Sequence, residues 1–288
     1  MQLETNLNWR YCYFLNTPIP MSTPAIDRPK RHAAAAIWGA VIGTLGGLIG
    51  LGGAEFRLPV LIGVFRFAAL EAVILNKAVS LVVVASAILF RTSAVPMDDV
   101  VNQWPIIANL LAGSLLGAWL GASWATRLRS ETLYRVISVL LLVIAVVLLI
   151  KHQGGGQPLL TGLRQIALGV VAGLGIGVIA SLLGVAGGEF LIPTLILLFG
   201  VDVKLAGSLS LAISLPTMLM GFARYSRDKT FVVVRQNVPF LTFMAVGSLV
   251  GAFCGGLLLG LVPAAALLPL LAAILVLSAI KVWRHARR

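Results

Sequence analysis

The chain has 288 residues, of which 59% are hydrophobic and 11% are charged, and its formal net charge is +12. Soluble domains carry about 25% charged residues, so this composition excludes an ordinary soluble globular protein. The basic residues occur in short clusters between apolar blocks, which is typical of the loops of membrane proteins and not of a nucleic-acid-binding surface.

The N-terminal region, residues 1–32, differs from the rest of the chain. It contains four Pro and no long apolar core after a basic start, so it does not resemble a signal peptide. We expect either a mobile cytoplasmic extension or an overlong start-codon assignment.

Eight apolar segments follow, and runs of about 18 or more apolar residues are long enough to cross a bilayer as helices. The segments are 33–65, 72–90, 104–124, 133–150, 166–199, 205–222, 238–259 and 264–282. The first and fifth are too long for one simple helix, and both are interrupted by glycine clusters. We therefore predict an all-α polytopic membrane protein with about eight transmembrane segments in two four-segment repeats, the first segment of each being broken. The predicted boundaries are 33–151 for the first repeat, 152–164 for a linker, 165–283 for the second repeat and 284–288 for a basic tail.

Two motifs recur at one offset. The sequence Gly50-Leu-Gly-Gly-Ala-Glu-Phe-Arg-Leu-Pro59 returns 134 residues later as Gly184-Val-Ala-Gly-Gly-Glu-Phe-Leu-Ile-Pro193. A glycine ladder in residues 113–121 returns in residues 247–255 at the same offset. Such ladders predict close helix packing. Two motifs at one shift indicate a duplication, and tandem membrane halves are typical of secondary transporters.

The loop charges predict the orientation. If all eight segments cross, 15 Lys and Arg lie on the side of both termini, which makes that side cytoplasmic. The other side receives five, Arg66, Arg127, Arg129, Arg135 and Lys204. Four crossings per half make the repeats parallel. If the broken segments only dip in and return, each half has an odd number of crossings and the repeats are inverted. The charge bias favours four, but the sequence leaves both arrangements open.

The glycine motif predicts a binding site. A helix that restarts inside the membrane points free N–H groups and a positive dipole end into a protein cavity, which suits an anionic substrate. Alternatively, the glycines only permit close packing. Glu55 and Glu189 occupy matched positions, and an ionisable group within a membrane segment is a functional candidate. Either one serves a proton-coupled step, or both cap the broken backbone.

Polar residues of the following segments complete the candidate site. Lys77 either pairs with Glu55, attracts an anion or extends to a lipid headgroup, and Arg57 likewise occurs in the first half only. Serine hydroxyls bind an oxyanion or their own helix backbone. The predicted substrate-binding residues are Gly50, Gly52, Gly53, Glu55, Asn76, Lys77, Ser80, Gly184, Gly187, Gly188, Glu189, Ser208 and Ser210, with Pro59 and Pro193 as helix-break residues. No cofactor, metal site or catalytic residue is predicted.

At these residues the chain resembles the TauE/SafE sulfite exporter family. The copy from Gly184 to Pro193 and the following Ala206-Gly-Ser-Leu-Ser-Leu211 carry the resemblance. The first copy departs from the family pattern at Ala54 and in Asn76-Lys-Ala-Val-Ser-Leu81. The resemblance covers about residues 33–282 and implies a bacterial inner-membrane permease for sulfite, sulfonate or another organosulfur anion.

We therefore expect a secondary transporter, not an enzyme, that moves a small anion by alternating access between the repeats. Protons or the membrane potential drive the transport, and the expected partners are the anion, protons and the lipid bilayer. The alternative is a non-transporting scaffold or a subunit of a larger membrane complex. The exact substrate, the direction of transport and the oligomeric state remain open.

Overall fold

The computed structural model describes residues 28–49, 53–91, 97–149 and 161–258, together with scattered residues between 273 and 284. Every regular element in these ranges is helical. The α-helices are α1 (Arg28–Ile49), α2 (Ala54–Gly63), α3 (Ala69–Arg91), α4 (Met97–Asn102), α5 (Trp104–Ala125), α6 (Ser130–Leu149), α7 (Leu163–Leu183), α8 (Gly188–Phe199), α9 (Val203–Tyr225), α10 (Val232–Gln236) and α11 (Val238–Leu258). A single 3-10 turn, Lys229–Phe231, precedes α10.

The expected membrane character is present, but the described residues do not contain eight spans. Five candidate spans are long and apolar enough to cross a bilayer: Ala69–Ala87, Trp104–Ala125, Leu163–Leu183, Leu205–Tyr225 and Val238–Gly255. The eighth predicted segment, 264–282, lies largely outside the described residues. The protein is therefore a multi-pass all-helical membrane protein.

The predicted helix breaks lie at glycines with left-handed backbone. Gly184 ends α7 with φ 68°, and Gly187 precedes α8 with φ 82°. Gly53 precedes α2 with φ 71°. Glycine adopts this conformation without the steric cost of a Cβ. Gly50 and Gly52 lie outside the described residues.

The predicted role of the prolines differs from their observed position. Pro59 and Pro193 lie inside α2 and α8, and each helix continues through its proline. The chain leaves the helical path at the glycines instead, because a left-handed residue ends the run of right-handed backbone.

The second broken segment folds back on itself. The side chain of Gln165, at the start of α7, donates a 2.8 Å hydrogen bond to the carbonyl of Leu198, at the end of α8. Gly169 of α7 also lies against the ring of Phe199. α8 therefore returns towards the end of the bundle from which α7 starts. We name this end the Gln165 end.

The first broken segment folds back in the same way. The guanidinium of Arg31, in the first turn of α1, lies 5.0 Å from the ring centroid of Phe67, which follows α2. Both residues pack on Phe240, at the start of α11. We name this end of the bundle the Arg31 end. The alternative in which the broken segments dip in and return thus describes their geometry better than a straight crossing.

The two glycine ladders pack across the halves. Gly113 and Gly117 of α5 abut the backbone of α7 at Val170 and Leu174, which leaves no room for a Cβ. Gly247 and Gly251 of α11 abut the backbone of α1 at Ala36 and Ala40 in the same manner. Each pair of contacts repeats the other at the offset of 134 residues. The packing role predicted for the ladders is confirmed at these positions.

The ladder contacts also define the direction of the helices. Contacts between α5 and α7 advance together along both chains, so the two helices run parallel from the Gln165 end, where Asn109 donates a hydrogen bond to Ile166 O. At the opposite end, Arg224 Nε of α9 donates a 2.7 Å hydrogen bond to Ser123 Oγ of α5. α5 and α9 therefore finish at the same end of the bundle. Eight simple crossings would place these two ends on opposite sides.

Candidate functional site

Asn76 joins the two broken segments. Its side chain is fully buried in α3, and its amide nitrogen donates to two backbone carbonyls. One is Ala54 O, at the start of α2, at 3.0 Å, and the other is Leu183 O, at the end of α7, at 3.1 Å. The break regions of both halves therefore meet at one side chain.

Arg57 lies beside this junction and is 0% exposed. Its Nη1 donates to Asn76 Oδ1 at 3.3 Å and to Ser80 Oγ at 3.0 Å. Its Nη2 donates to Ser248 Oγ of α11 at 3.2 Å. The Nε of Arg57 is buried without a hydrogen-bond partner among the described residues. Neutral groups thus fix the guanidinium in place and leave part of its donor edge unused.

Lys77, the next residue of α3, is also 0% exposed. Its ammonium donates to Ser181 Oγ of α7 at 3.4 Å, the longest bond of this group. Gly221 of α9 provides the space, because a Cβ at that position would lie 2.8 Å from both Lys77 Nζ and Ser181 Oγ. The Lys77 ammonium is thus enclosed by protein and points to Ser181 instead of a lipid headgroup, so the snorkelling role predicted for it is not what this structure shows.

Glu55 contributes the described carboxylate of the site. It is 2% exposed, and its Oε1 is buried without a hydrogen-bond partner among the described residues. No carboxylate of the described part lies within 4.0 Å of the Arg57 guanidinium or the Lys77 ammonium. The predicted pairing of Lys77 with Glu55 is therefore absent. Glu189 is the second residue of α8, and its side chain lies outside the described part.

The predicted serines divide into two groups. Ser80 accepts a hydrogen bond from the Arg57 guanidinium. Ser210 donates to Gly207 O of its own helix at 2.8 Å, the ordinary backbone role. Ser208 is buried, and its Oγ has no partner among the described residues.

The glycines of the second motif shape the backbone of the junction. Gly184 packs against Val73 O of α3, where a Cβ has no room. Gly187 and Gly188 are buried at the start of α8, as Gly53 is before α2. Their role in the described structure is to let the helices approach and turn.

The list of predicted binding residues omitted Ser181 and Ser248, and it also lacked Arg57, which was noted only as a charge of the first half. Ser248 follows the first glycine of the repeated ladder, and its first-half equivalent Ser114 is also buried. Ser114 and Thr217 share a 2.7 Å hydrogen bond instead of binding a cation. A polar residue inside the repeated ladder motif was therefore the sequence signal that could have identified Ser248.

The charges of the site come from one half. At the offset of 134 residues, Arg57 corresponds to Leu191 and Lys77 to Leu211. Both cations therefore belong to the first half, while Ser181, Gly221 and Ser248 of the second half complete their surroundings. The two halves therefore contribute unequally to the side-chain contacts.

This set of groups is suited to binding a small oxyanion. Glu55 attracts the Arg57 guanidinium electrostatically without a direct salt bridge to it. Two buried cations with no carboxylate in direct contact among the described residues carry a large desolvation cost, which a bound anion offsets. Guanidinium, ammonium and hydroxyl groups all donate hydrogen bonds, and charge-assisted bonds to an oxyanion are the stronger kind. Among the described residues no group of three or more His, Cys, Asp or Glu is placed to hold a metal ion.

Comparison with known proteins gives one match. A family model described as "Sulfite exporter TauE/SafE" matches residues 34–282, which is most of the chain and includes both glycine motifs. No curated protein and no solved structure matches the chain.

Proposed function

Because this chain belongs to the sulfite exporter TauE/SafE family, a family of membrane transporters for sulfur anions, we propose that it is a secondary transporter of a small sulfur oxyanion. The observation that carries the proposal is the burial of Arg57 and Lys77 at 0% exposure with no carboxylate within 4.0 Å among the described residues. Sulfite and the sulfonates present three oxygens to such donors. A sulfonate would offset one positive charge, and fully deprotonated sulfite would offset two.

The repeats in this proposal are inverted. Each half consists of a hairpin that returns to its starting end, followed by three crossings. The first hairpin opens at the Arg31 end, and the second opens at the Gln165 end. The support for this arrangement is the fold-back at Gln165 and Leu198 together with the shared end of Ser123 and Arg224.

The loop charges agree better with this arrangement than with eight crossings. With three crossings per half, the Arg31 end and both termini share one side, which carries 16 of the 20 Lys and Arg outside the site. The other side carries Arg91, Lys151, Arg164 and Lys204. The positive-inside rule then makes the Arg31 end cytoplasmic, in a bacterial inner membrane.

Alternating access in this arrangement moves one hairpin against the helices of the other half. Three hydrogen bonds link elements of different halves at the site. They join Asn76 to Leu183, Lys77 to Ser181 and Arg57 to Ser248. Each of these bonds is long or has an uncharged acceptor, so an oxyanion that enters the site competes for the same donors. Loss of these bonds between the halves shifts the equilibrium between the conformations of the transporter.

Glu55 is the candidate for proton coupling in the described part of the site. No described residue donates a hydrogen bond to its Oε1, so a proton there would break no contact of the described part. A proton on Glu55 and an anion beside Arg57 would move together, which keeps the charge of the site constant. Glu189 has the matched sequence position and is the second candidate.

The test is flux of labelled sulfite and of a sulfonate into proteoliposomes containing the purified protein, with pH and potential gradients set independently. We expect saturable flux of at least one of these anions that responds to a gradient. A scaffold or subunit predicts flux equal to that of empty liposomes for every anion, and that result would contradict the proposal.

A further inference from the structure

Two arginines at the end of α9 converge on one tryptophan of α5, away from the transport site. The guanidinium of Arg224 lies 5.7 Å and that of Arg227 lies 5.1 Å from the ring centroid of Trp119. Arg224 is also oriented by its 2.7 Å hydrogen bond to Ser123 Oγ. Cation–π contacts of this kind stabilise each guanidinium, and together they bring two positive charges to one ring.

The two charges have no counterion among the described residues. No described carboxylate lies within 4.0 Å of either guanidinium. The acidic residue nearest in sequence is Asp228, and its Oδ1 accepts a 2.9 Å hydrogen bond from the backbone N–H of Thr230, which caps the following 3-10 turn. Like charges at short range repel each other, so an anion that bridges Arg224 and Arg227 stabilises the pair.

The position of Arg224 and Arg227 in the fold indicates which kind of anion can reach them. Both arginines lie at the end of an apolar helix, and Trp124 on the adjacent helix is 57% exposed, as is usual for tryptophan at the membrane interface. Leu116 and Leu120, on α5 towards the bilayer centre, are 61% and 55% exposed. A phosphate group at the arginines would therefore continue into an apolar surface of the right depth for acyl chains.

We propose that Arg224, Arg227 and Trp119 form a binding site for the phosphate of an anionic phospholipid in the cytoplasmic leaflet. The guanidiniums donate to the phosphate oxygens in bidentate fashion, Trp119 holds both guanidiniums at its ring, and the exposed leucines contact the acyl chains. A lipid bound there joins the ends of α5 and α9, which belong to different halves. The site does not depend on the transported anion, and only its assignment to the cytoplasmic leaflet rests on the orientation proposed above.

The test is native mass spectrometry of the purified full chain titrated with phosphatidylglycerol and, separately, with phosphatidylcholine. The test variant is R224Q/R227Q, and the matched control is R129Q/R235Q. The control removes the same charge from two exposed positions near the same end, one in a loop and one in α10. We expect the wild type to bind phosphatidylglycerol in preference to phosphatidylcholine. We expect R224Q/R227Q to bind it about tenfold more weakly, and the control to bind within about twofold of the wild type.

Two further arms identify the source of the signal. R227Q changes one exposed residue only, and it replaces the double variant in the test if that variant does not fold. It should lose a measurable part of the preference for phosphatidylglycerol. Inorganic phosphate added at excess should not displace the lipid. Equal losses in the test and control variants would mean diffuse charge attraction, and displacement by inorganic phosphate would mean a free-phosphate site. Either result would overturn the proposal.

Discussion

At the scale of single residues, the site depends on how two cations are held without direct contact to a carboxylate of the described residues. Arg57 has three hydrogen bonds to neutral oxygens, whereas Lys77 has one long bond to Ser181. Arg57 is thus fixed, and Lys77 is the more easily moved of the two. We infer that Lys77 changes its partner when the anion binds, while Arg57 keeps its position.

Replacement of Gly221 tests the placement of Lys77. A Cβ at position 221 would lie 2.8 Å from the Lys77 ammonium, so Gly221→Ala forces the end of that side chain to move. Overpacking of this size costs about 1–3 kcal/mol, and we expect KM for the transported anion to rise about tenfold. The measurement is concentration-dependent flux in proteoliposomes.

Gly175→Ala is the matched control for this substitution. An added Cβ at Gly175 of α7 meets nothing within 4 Å, so flux should be unchanged. Equal KM values for Gly221→Ala, Gly175→Ala and the wild type would show that the position of Lys77 does not affect the anion.

Replacement of Glu55 tests whether its carboxyl group couples transport to protons. Glu55→Gln removes the titrating carboxyl and keeps its size, so we expect anion exchange at equal pH to continue while acceleration by a pH gradient is lost. Flux of labelled sulfite with and without the gradient measures the difference. If the variant keeps its full response, Glu55 does not carry the proton, and Glu189→Gln becomes the next variant to measure.

At the scale of elements, the glycine ladders hold the halves together. Gly117 abuts Leu174 of α7, and its second-half counterpart Gly251 abuts Ala40 of α1, with backbone atoms on both sides. Backbone cannot give way as a side-chain end can, so a methyl group there separates the helices. Close approach of this kind supplies much of the association of membrane helices.

Gly117→Ala and Gly251→Ala should each destabilise the protein by about 1–3 kcal/mol. Thermal unfolding in detergent, followed by the loss of the monodisperse species, measures the effect. Gly175→Ala should leave the midpoint unchanged, since its surroundings are open. A midpoint equal to the wild type in both ladder variants would contradict the packing described here.

The same elements show which features of the fold the sequence predicts and which it does not. The breaks were predictable because Gly184 and Gly187 supply left-handed backbone that other residues avoid. The return of α8 along α7 was not predictable, because the loop charges fit eight crossings almost as well as six. The partner of each ladder was also not predictable, since small residues permit a close contact without specifying its partner.

The residues of the site also divide into those that the sequence identifies and those that only the fold identifies. Asn76, Lys77, Ser80 and Glu55 were identified from their unusual polarity within apolar segments. Ser248 was not, because its partner Arg57 is 191 residues away in the sequence and only the fold brings them together.

At the scale of the whole molecule, the arrangement of the halves predicts which loops share a side. Arg129 follows α5 and Arg227 follows α9, and the shared end of these helices places both with the N-terminus. Thr161, before α7, belongs to the other side. We expect Arg129→Cys and Arg227→Cys to react with an impermeant maleimide only after the inner membrane is permeabilised, and Thr161→Cys to react in intact spheroplasts.

These variants require a background in which Cys12 and Cys254 are replaced by serine. Opposite labelling of Arg129→Cys and Arg227→Cys would restore the eight-crossing arrangement and exclude the inverted one.

The central claim is that the buried cations of the first half hold the transported anion, and direct binding of labelled sulfite to the purified protein tests it most directly. We predict one saturable site per chain, lost in Arg57→Gln and in Lys77→Gln, and kept in Arg235→Gln, which removes a positive charge from an exposed position. Saturable binding that persists unchanged in both buried-cation variants would contradict the claim.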